Sequence, residues 1–546
     1  MTHQPDAPAR DCHGPRSRDS AGAEFRGPVQ DSRLTIATCG HIWSEAMRRS
    51  TFDSVWIALA LLITASTAIA AERPPNVVVF LCDDLGATDL GCLGSRFYET
   101  PNLDRLASEG ARFLEAYAAC PVCSPTRASL LTGKYAQRTG ITDYIAPNGA
   151  NQPAQWSRNT RLLPAPYTDR LALQERTLAE MLKDAGYATF FAGKWHLGPE
   201  KFYPEDQGFD FNLGGIEQGG PYGGKKYFSP YGNPRLPDGP TGEHLPNRLA
   251  TETVKFFDAH REGPFFAYLS FYDVHTPLMA REDLQKKYEA KRTERNLTDE
   301  FGREEPRDVR LNHSHAIYAA MIEAMDQAVG KVLAALQERN LDRETIVIFT
   351  SDNGGLSTSE GWPTSNRPLR AGKGWVYEGG IRVPLILRWP GRIEPGTLLS
   401  TPVIGLDLYP TLLAAAGGKR AADQILDGVD LAPLFRNESV PERPLFWHYP
   451  HYGNQGGAPA AAVREGPWKL IEWMEEGRAE LFHLERDPSE TLDLATTEPE
   501  IVDRLREQLK QWQKEVGAAA PKPNPKYDPA KPDGRRADRI PPKPAS

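Results

Sequence analysis

The chain has 546 residues, 40% hydrophobic and 25% charged; this ordinary globular usage excludes a wholly disordered chain, a collagen and a small disulfide-stapled scaffold. Lys and Arg number 64 against 72 Asp and Glu, a net charge of −8, without the basic excess that phosphate-backbone binding needs, so no nucleic-acid partner is expected. A mean hydropathy of −0.51 excludes a polytopic membrane protein.

Residues 1–46 are dominated by Pro, Gly, Ser, Asp and Arg and read as an unstructured extension or a mis-assigned start. Residues 47–71 open on Met47, Arg48 and Arg49, continue as the uncharged run Val55–Ala71 and close on small residues at Ala68-Ile69-Ala70-Ala71. That is a positive n-region, an apolar h-region and an A-x-A-like cleavage site. The run is shorter than the about 20 apolar residues of a spanning helix. It reads as a signal peptide, with an uncleaved anchor as the alternative. Export to the periplasm or the medium is expected, without stable membrane insertion. Four cysteines follow, Cys82, Cys92, Cys120 and Cys123. In a domain this long they form no disulfide framework, although one bridge is allowed.

Apolar runs at Asn76–Cys82, Ala188–Ala192, Phe265–Phe271, Thr345–Thr350 and Val383–Trp389 read as buried strands. Helical patterns lie between them. One has Thr100 as N-cap, Pro101 as its first residue and Gly110 at its end; Leu171–Ala185 and Ile317–Leu336 are amphipathic at helical spacing. The alternation predicts an α/β core with a largely parallel sheet, assigned to residues 72–440. Beyond it, Leu445–Tyr449, Ala461–Glu472 and Ala479–His483 read as short antiparallel strands and Ile501–Val516 as a closing helix. These make a small α+β domain over 441–520, followed by an irregular Pro/Lys-rich tail over 521–546.

Four predicted strands run into polar residues: Asp83-Asp84, Gly193-Lys194-Trp195-His196, Tyr272-Asp273-Val274-His275 and Ser351-Asp352-Asn353. Ligands of open α/β sheets bind at the carboxyl ends of strands, so these ends point to one shared site. Asp83, Asp84, Asp352 and Asn353 offer oxygen ligands, which suit a hard cation such as Ca²⁺ or Mg²⁺. Taken alone each pair reads as turn residues, and their joint position after two predicted strands reverses that reading. Ser124 is expected to N-cap a helix beginning at Pro125, leaving Cys123 beside a helix N-terminus, where anions are favoured, and Arg127 one turn on. A thiolate is a poor partner for a hard cation among carboxylates. Cys123 is therefore either structural or not a thiol in the mature protein.

Cys123-Ser124-Pro125-Thr126-Arg127, followed by Leu131-Thr132-Gly133-Lys134, resembles the signature of the sulfatase family, in which the cysteine is oxidised to Cα-formylglycine. Gly193-Lys194-Trp195-His196-Leu197-Gly198 resembles a second signature block. Asp83-Asp84, His275-Thr276-Pro277, Ser351-Asp352-Asn353-Gly354 and Lys373 follow the family's order. The resemblance implies an alkaline-phosphatase-like α/β fold and hydrolysis of sulfate monoesters on sulfated carbohydrates or aryl sulfates. It implies that Asp83, Asp84, Asp352, Asn353 and the formylglycine at Cys123 hold Ca²⁺, with Mg²⁺ the alternative. The formylglycine hydrate would be the nucleophile. Lys194 and Lys373 would bind sulfate oxygens, His275 would protonate the leaving alcohol, and His196 would orient or deprotonate the second hydroxyl. Arg127 and Lys134 would fix the formylglycine and neutralise carboxylates, the other reading of Arg127 being a surface ion pair. A formylglycine-generating maturation enzyme is an implied partner. Two alternatives remain: a phosphonate or phosphate monoesterase of the same fold, and a silent sulfated-glycan-binding relative. His313, His315, His448 and His451, the Gly214–Gly224 stretch with Tyr222, and Trp362 and Trp375 either line the substrate mouth or are ordinary surface and core.

Overall fold

Seven consecutive residues, Asn76–Cys82, form strand β1, and all are buried. Val78, Phe80 and Cys82 pack into one hydrophobic core, and Val77, Val79 and Leu81 into another. That two-residue period places β1 at the middle of a sheet covered on both faces, which explains its unbroken apolar sequence. The computed structural model describes residues 73–221 and 226–535. The predicted extension, the signal segment, Tyr222 and the end of the tail lie outside the described residues.

The sheet continues with β2 (Ala111–Phe113), β3 (Ala188–Gly193), β4 (Phe211–Leu213), β5 (Phe265–Ser270), β6 (Thr345–Ser351), β7 (Leu385–Arg388) and β8 (Thr397–Leu399). Its order is β8-β2-β7-β6-β1-β5-β3-β4. β1 lies parallel to β6 and β5, and β3 parallel to β5 and β4. β7 runs antiparallel to both β6 and β2, so the predicted α/β sheet is mixed on that side. β7 is also shorter than predicted, because Pro384 cannot donate to a ladder.

The flanking helices are α1 (Pro101–Glu109), α2 (Cys123–Thr132), α3 (Leu178–Asp184), α4 (Leu245–His260), α5 (Ala316–Glu338) and α6 (Leu408–Ala415). α1, α4 and α5 pack on one face of the sheet, and α2, α3 and α6 on the other. α1 keeps its expected bounds, with Thr100 at the N-cap position, Pro101 first and Gly110 at the end, although the Thr100 hydroxyl makes no cap bond because it donates to Asp104 and accepts from the Gly91 amide. Two boundary expectations are corrected. α3 starts well after Leu171, where Thr177 and Glu180 form a capping box. α2 starts at Cys123, so Ser124 is not its cap; the Ser124 hydroxyl accepts instead from the Ile145 amide at 3.1 Å.

Four antiparallel strands follow, β9 (Leu445–Tyr449), β10 (Ala460–Glu465), β11 (Trp468–Trp473) and β12 (Arg478–His483), closed by α7 (Pro499–Glu515). The segment predicted as one strand over 461–472 is a hairpin, turned at Gly466 (φ 55°) and Pro467. Trp447, Phe482 and Leu505 of this sheet and helix share a core with Tyr117, Val122 and Trp375. Fully buried Lys469 on β11 pairs with Glu378 at 2.9 Å and Glu490 at 2.8 Å, tying the sheet to the loop that carries Lys373. The tail is not wholly irregular: Lys522 and Pro523 pair with Leu163 and Leu162. All four described cysteines are free. Among the described residues no helix is long and apolar enough to cross a membrane.

Candidate active site

The ends of β1, β3, β5 and β6 and the start of α2 converge. β1 delivers Asp83 and Asp84, and β6 delivers Asp352 and Asn353. β3 ends at Gly193, where an added Cβ would sit 1.9 Å from the Ser270 carbonyl oxygen. Only glycine allows that approach, which lets the Lys194 amide bond the same oxygen at 2.8 Å and aims Lys194 and His196 inward. The β5 end delivers His275, whose carbonyl accepts from the Tyr227 hydroxyl at 2.8 Å.

The charges interlock. Lys194 Nζ lies 2.5 Å from Asp83 Oδ2, and Lys373 Nζ 2.7 Å from Asp84 Oδ2. Arg127 reaches Asp352 Oδ2 through Nε at 2.8 Å and Nη2 at 2.7 Å, and its Nη1 donates to the Lys194 carbonyl and the Ser270 hydroxyl. It is 2% exposed, so it is no surface ion pair. Asn353 Nδ2 donates to Asp84 Oδ1 at 2.8 Å, and the Asp84 amide to Asp352 Oδ1 at 3.2 Å. Ligand atoms of Asp83, Asp84, Cys123 and His275 all lie within 4.8 Å of one another. The buried Asn353 Oδ1 has no hydrogen-bond partner.

Burial raises the Asp83 carboxyl against the pull of Lys194, and raises Asp352 against Arg127. Burial would raise Asp84 as well, but Lys373, His275 and Lys194 hold it well below the usual carboxylate range. Burial pushes the Cys123 thiol up to about 12, with Lys194 and Lys373 opposing, so it is a neutral thiol at pH 7 and a weak nucleophile. Burial and Lys373 lower His275 to about 4, and burial and Lys194 hold His196 well below its ordinary value. His275 Nδ1 donates to the Thr276 carbonyl at 2.7 Å, leaving Nε2 3.7 Å from Asp84. His196 Nε2 donates to the Ile145 carbonyl at 2.9 Å, leaving a buried Nδ1 without a partner.

Cys123, His196, His275 and Lys373 open onto a cavity of about 800 Å³. Ten of the eleven sequence-predicted site residues therefore belong to one connected cluster at its floor. Lys134 does not. The α2 helix ends at Gly133 in left-handed backbone (φ 67°), and the Lys134 ammonium pairs with Glu175 at 2.6 Å, away from the carboxylates it was expected to neutralise. None of His313, His315, His448 and His451 lines the cavity; His315 caps α5 and His451 is fully buried. Trp362 and Trp375 are core residues whose indoles donate to the Asp308 and Gln455 carbonyls. Glu217–Gly220 of the Gly-rich stretch does line the cavity. Sequence reasoning missed Asn148, Glu360, Asn454 and Gln455, which no motif marks.

The family described as Sulfatase matches residues 75–418, and the one described as N-sulphoglucosamine sulphohydrolase, C-terminal, matches residues 371–515. A sulfatase of Formosa agariphila is 32% identical, covering 83% of this chain and 91% of its own. N-acetylgalactosamine-6-sulfatase of Canis lupus familiaris is 31% identical, covering 83% of this chain and 88% of its own. The crystal structure of Ps i-CgsB in complex with k-i-k-neocarrahexaose matches with a TM-score of 0.66 at 30% identity, over 81% of this chain and 93% of that one.

Proposed function

Because this chain belongs to the sulfatase family and hydrolyses sulfate esters, we propose that it works through a formylglycine at Cys123 and a divalent cation held by Asp83, Asp84, Asp352 and Asn353. The reaction takes R–O–SO₃⁻ and water to R–OH, sulfate and a proton. The fold is alkaline phosphatase-like. The observation that carries the residue-level reading is the convergence of four strand ends on Cys123.

The donor set fits a cation. Asp83, Asp84 and Asp352 are balanced one to one by Lys194, Lys373 and Arg127, so the floor has no net charge of its own for an anionic ester. A divalent cation restores that charge, and the partnerless Asn353 Oδ1 is a ligand in waiting. The all-oxygen set suits Ca²⁺, with Mg²⁺ the competing choice. A thiol held neutral contributes neither nucleophile nor ligand, which supports conversion of residue 123 by a maturation enzyme. The two groups together supply a Lewis acid and a hydroxyl nucleophile.

The chain's own residues do the rest. Lys194 and Lys373 bind sulfate oxygens and carry the charge that develops as the S–O bond breaks. His275 fixes Nδ1–H on the Thr276 carbonyl and delivers a proton from Nε2 to the leaving oxygen. The substrate's negative charge favours that protonated form. His196 keeps Nε2–H on the Ile145 carbonyl and takes a proton at Nδ1 from the hydroxyl of residue 123. Arg127 holds Asp352 in place. Lys134, paired with Glu175, has no role in this scheme.

The substrate is a sulfated carbohydrate, by analogy with N-acetylgalactosamine-6-sulfatase. The protein is exported on its 47–71 segment. The test is sulfate release by protein co-produced with a maturation system, on defined sulfated sugars, p-nitrophenyl sulfate and p-nitrophenyl phosphate, with a peptide mass map of residue 123. Sulfate release with residue 123 converted is expected. Faster phosphate release favours the phosphomonoesterase alternative, and sugar binding without turnover by a converted protein favours the silent one.

A further inference from the structure

We propose that Glu217 and Glu360 restrict this site to a sulfate ester standing alone on an uncharged, hydroxyl-rich alcohol, and reject substrates with a second anionic group beside the scissile ester; the inference rests on the sulfatase reading above. Among the described residues lining the cavity, Lys373 is the one lysine or arginine, and it sits at the floor on Asp84. Three carboxylates line the same cavity: Asp169, Glu217 and Glu360. Asp169 is neutralised by Arg170 at 2.7 Å. The other two are held by neutral donors. Glu217 accepts from the Tyr203 hydroxyl, and Glu360 from Gln455 Nε2 at 2.9 Å and Thr276 Oγ1 at 3.2 Å. Their negative charge therefore stays on the cavity wall.

The placement matters. Glu217 lies two residues before Gly219, whose Cα packs so closely on His196 that an added Cβ would come within 2.5 Å of the ring. Glu360 is bonded to Thr276, the neighbour of His275. Glu360 thus stands beside His275, and Glu217 lines the cavity from the loop that packs on His196. A wall built to track a polyanion carries the opposite sign and focuses it inward. Carboxylates only accept hydrogen bonds, so they reward sugar hydroxyls and penalise a second sulfate or a uronate. The amides of Gln218, Asn454 and Gln455 complete a neutral polar lining. Two carboxylates about 6 Å from a second sulfate, in water-like surroundings, lower its binding by a factor of about ten together.

The experiment compares kcat/KM of the matured full-length protein on p-nitrophenyl sulfate, a neutral monosulfated hexose and the same hexose with an adjacent second sulfate. Wild type, Glu217→Gln, Glu360→Gln and the double variant are measured at low and high salt. The wild type should favour the monosulfated sugar by about tenfold. The ratio should fall toward unity in the double variant, and salt should narrow it in the wild type by screening the repulsion. Equal turnover of both sugars by the wild type overturns the proposal, as does an unchanged ratio in folded variants. If the double variant fails to fold, the single variants and the wild-type salt series decide. Hydrolysis of p-nitrophenyl sulfate without sugar discrimination refutes this proposal alone, whereas failure to hydrolyse any of the sulfate esters refutes the sulfatase mechanism with it.

Discussion

Replacing Arg127 with Met removes a buried cation while keeping most of its volume. The side chain is 2% exposed, hydrogen-bonds Asp352 through Nε with Nη2 in ion-pair contact with the same oxygen, and donates to the Lys194 carbonyl and the Ser270 hydroxyl. Removing one partner of a buried ion pair costs about 3–5 kcal/mol, because the surviving charge is left unpaired. Unfolding entropy of about 2.1 cal/mol/K per residue over the roughly 460 residues from Arg73 converts that loss into a Tm drop of about 3–5 °C. Asp352 itself becomes more basic, so the drop should be larger at pH 8 than at pH 5, where the orphaned carboxyl is free to take a proton. Adding Asp352→Asn to Arg127→Met should recover much of the loss, since no unpaired charge remains. Scanning calorimetry of chelated protein gives both numbers. An unchanged Tm for Arg127→Met, or a double variant whose loss is the sum of the two single losses, would refute the claim that this pair is coupled through burial.

Cys123→Ala should abolish turnover while shifting Tm by no more than about 2 °C, since one buried sulfur is lost; retained sulfate release would remove residue 123 from the chemistry. His275→Ala should lower kcat by about 10²–10⁴ on alkyl sulfates and far less on p-nitrophenyl sulfate, whose leaving group needs no proton; equal losses on both would exclude a general-acid role. His448 donates from Nε2 to the Ala519 carbonyl and accepts at Nδ1 from Gln513, and burial lowers it to about 4. Its neutral form contributes stability that is complete above pH 6.5 and lost progressively as pH falls toward 4, because the unfolded chain binds the proton first. His448→Gln should lessen the slope of the Tm profile across that window by one proton's share, and an unaltered slope would show the ring is not held neutral. Chelation should abolish activity and lower Tm, with Ca²⁺ restoring both, and recovery of neither would count against the cation site.

The strands and most of the floor were legible because buried parallel strands are apolar throughout and then break abruptly into Asp83-Asp84, Lys194 or Asp352-Asn353. The resemblance carried the rest, including Lys373, which no strand end announces. It failed at Lys134, where proximity in the motif was not proximity in space once Gly133 had turned the chain. Single histidines and tryptophans carry no directional information, so His451 and Trp375 went to the core without any sequence signal against it. The cavity walls were hidden for a different reason. Glu360 meets Gln455 across 95 residues, and no local pattern encodes a contact between two loops that distant. Boundaries moved where side chains competed for the backbone, as at Thr177 and Ser124.

The floor draws on Asp83, Cys123, Lys194, His275, Asp352 and Lys373, and Cys123 is only 3% exposed once they meet. On the proposed conversion of residue 123, an enzyme that must grip the peptide on both sides of it would have no access to the finished protein. Its window would open when that stretch leaves the ribosome and shut when β6 docks beside β1, more than two hundred residues of synthesis later. Slow translation of the second half of the gene would then favour a fully active product, and overproduction that outran the conversion would yield chains correctly folded and permanently inert.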